Sequence, residues 1–448
     1  MSATAAAPAR QPGSIRRGLP PGPRAPGAAS FYLLSQRPLE TLLGWHRRYG
    51  DAFTVRFPVF GTGVYVADPQ AIRDLHTGDQ SDLRAGEANA PLGAVLGPRS
   101  VLVLDGAEHL RQRRLLLPPF QGSAVTAFRT VIRDVAEREV ARWRPGERFA
   151  MRERMRALTF EVIARAVFGV EQPERIERLR RALVAVLDVQ YAFLLPAWLQ
   201  RDRGRLSPGG LVQRRLRAAD ALLHEEIARR REDPRLEERT DVLSLLLRAR
   251  DEDGAPMTDA ELRDELMTML LAGHETTATG LAFAFDLLLH APATLARLRE
   301  ELAGGRGDAY LDATVAETLR LRPVIDANQR RLTRPCVVAG WELPAGVSVY
   351  PAIAIVHRRP DLYPEPDAFR PERFLDGRAE SYAWLPFGGG IRRCIGAALA
   401  QAEMAEAIRT IATRAELRAR QPALEPVVMR GVTLVPRHGT PVEVVRAG

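Results

Sequence analysis

The ten residues from Phe387 to Gly396, Phe-Gly-Gly-Gly-Ile-Arg-Arg-Cys-Ile-Gly, set one thiol between a glycine turn and the start of a helix. Three consecutive glycines permit turns that side chains forbid, and Gly396 leaves room for a flat ligand to lie against the backbone. Cys394 stands at the mouth of a helix predicted from Ala397 to Ala405, where the positive end of the dipole and free amides favour a thiolate. Arg392 places a fixed cation two residues away. A thiolate with amide donors and an arginine suits an iron porphyrin, because sulfur donates electron density to iron while arginine holds a propionate. A cysteine beside a glycine turn is ordinarily an inert core residue. Here Phe387, Gly390, Arg392 and Cys394 stand at set offsets, and that pattern outweighs the ordinary reading.

A second constellation is Ala272-Gly273-His274-Glu275-Thr276-Thr277, inside a long helical stretch. Glycine and a hydroxyl side chain both weaken the amide ladder, which predicts a local widening or kink. Such a groove can hold oxygen and water against a metal, with Thr276 as hydroxyl donor and Glu275 as a gate for protons from solvent. Read alone, the segment is as well explained by helix packing. His274 has no second histidine at ligand spacing, so a structural hydrogen bond is the expectation for it.

The cysteine loop has the form FxxGxRxCxG, and in this it resembles the haem-binding loop of the cytochromes P-450. The resemblance implies haem b, with Cys394 as axial ligand to the iron, Arg392 as a propionate partner and Phe387 among the cofactor-binding residues. AGHETT looks like that family's oxygen-activation motif, so Glu275 and Thr276 inherit the catalytic, proton-delivering roles. Glu317 and Arg320 resemble its ExxR helix, and Phe369 to Phe374 its PERF segment; together Glu317, Arg320 and Arg373 would form a buried network behind the haem. His109 and Arg113, four apart, resemble the bacterial variant of the propionate-binding helix. Arg330, ten residues after Arg320, matches a further propionate arginine, with adjacent Arg331 as its competitor.

Composition narrows the classes further. Of 448 residues, 46% are hydrophobic and 27% charged, the balance of a globular protein with ample core material. The net charge of +9 comes from basic residues scattered among acids, as in Glu174, Arg175, Glu177 and Arg178, which describes solvated helix faces rather than a nucleic-acid surface. Every basic residue other than histidine is arginine, since the sequence has no lysine, and this excludes Schiff-base and P-loop lysine chemistry. Two cysteines, Cys336 and Cys394, are too few for a disulfide framework or a multi-thiolate zinc site. Ala5 to Ala29 lacks the apolar run of a signal peptide or membrane anchor, so a cytoplasmic protein is expected; a monomer is also expected.

The elements that position these residues can be read from periodicity. Residues 1–30 read as a flexible Pro/Ala-rich arm and residues 31–448 as one catalytic domain. Pro38 to Arg48 predicts a helix, followed by a hairpin of Ala52–Phe57 and Gly63–Ala67. Gly106 to Ala303 is almost wholly helical. Thr258 starts the long helix with a capping box to Glu261, and Pro292 stops it. Ala309 to Arg322 forms a helix ending before Pro323, and strands follow at Val337–Trp341 and Val347–Ile355. The fold class is therefore mainly α with small β-sheets (α+β), with the haem between the long central helix and the cysteine loop as the resemblance implies.

Family position places substrate at Ala85–Ser100, Tyr191–Leu199, Leu271, Ala272 and Val324–Ala327, which are mostly apolar and favour a hydrophobic small molecule. Without an appended flavin or ferredoxin module, electrons would come from a ferredoxin or flavodoxin-like donor with its reductase, docking near Arg111, Arg114 and Arg393. The activity so implied is a monooxygenase using dioxygen. The alternatives are a peroxide-dependent or rearranging haem-thiolate enzyme, which would not need the acid-alcohol pair, and a non-catalytic haem sensor.

Overall fold

Seven helices position the residues singled out above: α1 (Pro69–Thr77), α2 (Gly106–Leu116), α3 (Met151–Ala166), α4 (Pro208–Arg231), α5 (Asp259–Leu289), α6 (Ala309–Leu321) and α7 (Ala397–Arg414). The computed structural model describes residues 15–448 except 59–60, 188–201, 205–206, 306, 376 and 378–381. The architecture is mainly helical with small sheets, as expected.

Helix α5 is the axis of the molecule, about 46 Å long at 1.5 Å per residue. Its start is fixed by the capping box: the Thr258 hydroxyl accepts from the Glu261 amide at 3.2 Å, and the Glu261 carboxylate accepts from the Thr258 amide at 2.7 Å. The next helix opens at Pro292, three residues past its end. Apolar residues occupy most of its circumference, so it is buried among other helices, packing along α3 and also against α4, α6 and α7. It runs as one α-helix through Gly273 and Thr276, where a widening or kink was expected; the Thr276 hydroxyl donates to the Ala272 carbonyl there. Among the described residues no single helix is long and apolar enough to cross a membrane.

A five-stranded sheet flanks the helices. Its strands are β1 (Ala52–Phe57), β2 (Gly61–Val66), β3 (Leu83–Arg84), β4 (Arg330–Leu332) and β5 (Ser348–Pro351), in the order β1-β2-β5-β4-β3. Only the β2/β5 pair is parallel.

Three expectations need correction. Val337–Trp341 is not one strand but a tight hairpin of Cys336–Val338 with Trp341–Leu343. Ala339 and Gly340 both take positive φ, 49° and 80°, which is the two-residue turn that reverses a strand. The stretch Val347–Ile355 is strand only to Pro351, whose ring removes the donor that would extend the ladder, and Ile353–Val356 turns helical. The final helix runs past Ala405 to Arg414, because Ile408 and Ile411 continue its buried face.

Residues 15–30, the described part of the N-terminal arm, make specific contacts with the rest of the chain. Arg16–Arg17 pair with Trp341–Glu342, and the Thr54 hydroxyl and amide donate to the carbonyls of Pro20 and Pro21 at 2.7 and 3.1 Å. A helix already begins at Gly27 and buries Leu34.

Candidate active site

The cysteine loop is shaped by its glycines. Gly388 and Gly390 have φ of 67° and 60°, and a Cβ on Gly390 would stand 2.0 Å from the carbonyl oxygen of His76 at the end of α1. The loop closes on itself through the Cys394 amide, which donates to the Phe387 carbonyl at 2.9 Å. Phe387 is half-buried and meets Trp384 edge-on, with centroids 6.0 Å apart. Above Gly396 the space is open, since a Cβ there would meet nothing within 4 Å.

Cys394 is reachable by solvent, yet burial in the protein pushes its thiol up. The two observations agree if the sulfur faces an internal space rather than the outer surface. The expectation was of a thiolate favoured by the helix mouth, its free amides and nearby Arg392; burial instead favours the thiol. Only the Gly396 amide and the charges of Arg393 and Arg113 pull the thiol down, and burial exceeds them. Coordination to a metal would hold this sulfur as thiolate outright.

Four of the predicted residues converge beside the loop. His109 is 3% exposed, and its pKa falls to about 3 through burial and the charges of Arg392, Arg113 and Arg330. Arg330 and Arg392 are each pushed down to about 10, chiefly by burial. Arg113 donates to the Arg393 carbonyl at 2.8 Å. Among the described residues the Nε atoms of Arg330 and Arg392 are buried without a hydrogen-bond partner. Asp105 is the acid that meets this cluster, accepting from Arg392 at 2.5 Å. Buried cations with orphaned donors call for anions, and two propionates of a porphyrin fit that need. The choice between Arg330 and Arg331 follows from strand alternation: Arg330 turns inward, while Arg331 points to the other face and pairs with Glu87 at 3.0 Å.

The acid and alcohol of α5 part company. Ala272 is exposed although it lies mid-helix between buried Leu270 and His274, so this face borders open space, and Thr276 stands one turn further on it. Glu275 is held differently. It lies against α3, in ion pairs with Arg152 and, at 3.0 Å, Arg156. Consecutive helical residues differ by about 100°, which is why the two side chains diverge. His274 is structural, as expected: its Nε2 donates to the Arg156 carbonyl at 2.9 Å, and its ring meets Phe160 edge-on.

Behind the loop, Glu317 and Arg320 are both fully buried and bonded twice, at 2.6 and 2.8 Å. Arg373 Nε and the Arg370 amide donate to the same Glu317 carboxylate at 3.0 and 2.9 Å. Arg320 also donates to the carbonyls of His357, Pro366 and Ala368. Sequence reasoning missed His357, whose Nδ1 donates to the Arg320 carbonyl and whose Nε2 accepts from the Leu385 amide, tying this network to the cysteine loop. It missed Asp105, Arg152 and Arg156 as well; their only sequence signal is charge, in a chain full of charges.

Of the proposed substrate segments, Ala85–Ser100 forms short helical turns and Val324–Ala327 lies next to β4, whereas Tyr191–Leu199 falls outside the described residues. Asp326 is not part of an apolar wall: it is buried, accepts from the Tyr65 hydroxyl at 3.3 Å, and has its pKa pushed up to about 6 by burial. Of the three docking arginines, Arg111 is held by Asp251 and Glu261 and Arg114 by Glu252, while Arg393 is exposed.

Comparison with known proteins agrees with this geometry. The family model described as Cytochrome P450 matches residues 20–437. The Mycobacterium tuberculosis (strain ATCC 25618 / H37Rv) protein named "Putative cytochrome P450 135B1" is 43% identical over 438 residues, covering 96% of this chain and 92% of its own. "Putative cytochrome P450 135A1" of the same strain is 39% identical, covering 95% of each chain. Among solved structures, the cytochrome P450DA heme domain superposes with a TM-score of 0.84 at 23% identity, covering 97% of this chain and 99% of that one. The retinoic acid-bound cyanobacterial CYP120A1 gives 0.82 at 24% identity, covering 96% and 99%. At these identities the two structures show the fold.

Proposed function

Because this chain belongs to the cytochrome P450 family and is a haem b oxidoreductase of the monooxygenase class, we propose that it places one atom of dioxygen into a hydrophobic organic substrate, by hydroxylation or epoxidation, with electrons from a separate carrier protein. The observation that carries the reading is the cluster of His109, Arg113, Arg330 and Arg392, with orphaned donors on Arg330 and Arg392, beside a solvent-reachable cysteine. Haem bound there supplies the redox chemistry of dioxygen, with the sulfur raising electron density at iron.

The protein's own residues have distinct tasks. Cys394 Sγ binds the iron, and the cation cluster holds the two propionates, with Arg330 and Arg392 using the donors that are otherwise orphaned. Phe387 and the glycines keep the sulfur in place. Thr276 presents its hydroxyl to the space beside Ala272, and Glu275 passes protons toward it after leaving Arg152 and Arg156. A ferredoxin or flavodoxin-like protein is the proposed electron donor.

The test is spectroscopic. Cys394→Ser should abolish the thiolate-type absorption of the reduced carbonyl complex, and a variant that kept it would overturn the assignment. Screening hydrophobic compounds for the high-spin shift identifies the substrate class. Comparing NADH plus carrier proteins with hydrogen peroxide alone separates the monooxygenase from a peroxide-driven enzyme.

A further inference from the structure

We infer that Asp264, Glu265 and Thr268 form a latch that clamps residues 97–101 onto the long helix and sets how far a substrate can extend along it; this rests on the cavity reading proposed above. All three lie on α5, upstream of Ala272. The Arg99 amide donates to Asp264 at 2.9 Å, and the Val101 amide donates to Glu265 at 2.8 Å. Between them, the Ser100 and Thr268 hydroxyls stand 2.7 Å apart, and Thr268 donates to the Asp264 carbonyl, which leaves it accepting from Ser100. Glu265 and Ser100 are fully buried. Arg263 adds a bond to the Leu96 carbonyl at 2.9 Å and pairs with Asp220 on α4.

Position on the helix gives the latch its meaning. At about 100° per residue, Glu265, Thr268, Ala272 and Thr276 fall on one stripe of α5. Along it the first two are buried, Ala272 is exposed and Thr276 half-buried. The space beside Ala272 therefore ends where residues 100–101 cross the stripe, two turns upstream. The seat is tight: Gly97 has φ of 98°, and a Cβ there would stand 2.0 Å from the Asp264 carboxylate. Three side-chain acceptors on one helix thus hold three successive residues of the segment that closes the expected substrate loop. The three are positioning residues, acting on substrate through the backbone they hold.

The experiment uses holoprotein and a series of n-alkylimidazoles of increasing chain length, titrated by the spectral change on binding to iron. For the wild type, affinity should rise with chain length and then fall at a cut-off. Glu265→Leu, Thr268→Val and Gly97→Ala should each move the cut-off to longer chains, with at least about a tenfold gain for the longest members and unsubstituted imidazole unchanged. Glu265→Gln, which keeps the oxygen Val101 needs, should retain the wild-type cut-off. Hydrogen exchange on the wild type supplies a readout that needs no variant: the Arg99 and Val101 amides should be protected like those of α5. Unprotected amides, or a cut-off unmoved in all three variants while imidazole still binds, would overturn the latch alone. A wild-type protein that binds no imidazole would overturn the haem reading and the latch with it.

Discussion

Glu265 and Arg392 hold the same residue, Val101, through its two flanking peptide groups. The Glu265 carboxyl accepts from the Val101 amide at 2.8 Å, and Arg392 donates to the Val101 carbonyl at 3.1 Å. A residue of the long helix and a residue of the cysteine loop are thereby joined through Val101, in the segment between them.

The Glu265 end of this link has a pH signature. Burial, with the nearby charges of Asp264 and Glu261, pushes Glu265 up to about 8 from an ordinary value of 4.5. Between those values the unfolded chain has lost the proton and the folded chain keeps it, so the folded state binds one proton more. Stability should fall as pH rises through this window, by about 1.4 kcal/mol per pH unit at most for one proton. Glu265→Gln has no such proton. Denaturation midpoints measured at pH 5 and pH 8 should differ less in that variant than in the wild type; equal differences would refute the buried neutral acid.

The Glu317 network is predicted to decide haem incorporation rather than rate. Glu317→Gln strands Arg320, which is fully buried, and weakens the bonds from Arg373 and Arg370. Removing one partner of such a pair costs about 3–5 kcal/mol. Purified variant protein should carry much less haem per chain, measured as the ratio of haem to protein absorbance. A fully loaded but slow enzyme would contradict the network's structural role.

Thr276→Ala and Glu275→Gln should both bind haem and give the normal carbonyl spectrum, because neither side chain meets the cation cluster. Their predicted defects differ. Thr276→Ala diverts reducing equivalents to peroxide, whereas Glu275→Gln slows substrate oxidation by about tenfold or more, the scale of a positioned acid-base group. Product formed and peroxide released per NADH consumed would distinguish them.

Electron-carrier docking should depend on Arg393 more than on Arg111 or Arg114. The last two are already neutralised by Asp251, Glu261 and Glu252. Arg393→Glu is expected to lower the carrier-driven reduction rate at low salt severalfold, with the loss shrinking as ionic strength rises. An equal effect from Arg114→Glu would argue for a different docking face.

The legible part of this protein was local. The glycine turn before Cys394, the capping box of Thr258 and Glu261 and the Glu317/Arg320 pair at three residues' spacing each depend on neighbours within one or two turns, so residue type and spacing specify them. Of the misread features one was local and subtle, the other long-range. Ala339 and Gly340 gave a weak turn signal inside a run of strand formers, and the acidic partners of Arg111 lie 140 and 150 residues away.

The sequence by itself determined the chemistry available: one thiol in a cradle of glycines, and an acid beside an alcohol in a long helix. Tertiary structure decided which charges meet. With 64 arginines facing 55 acids, any carboxylate has many candidate partners. The pairing of Arg392 with Asp105 across 287 residues, like that of Glu275 with Arg152 and Arg156, is set by where the helices pack. Charge is a property of one residue, whereas burial, which gives each pairing its strength, belongs to the whole fold.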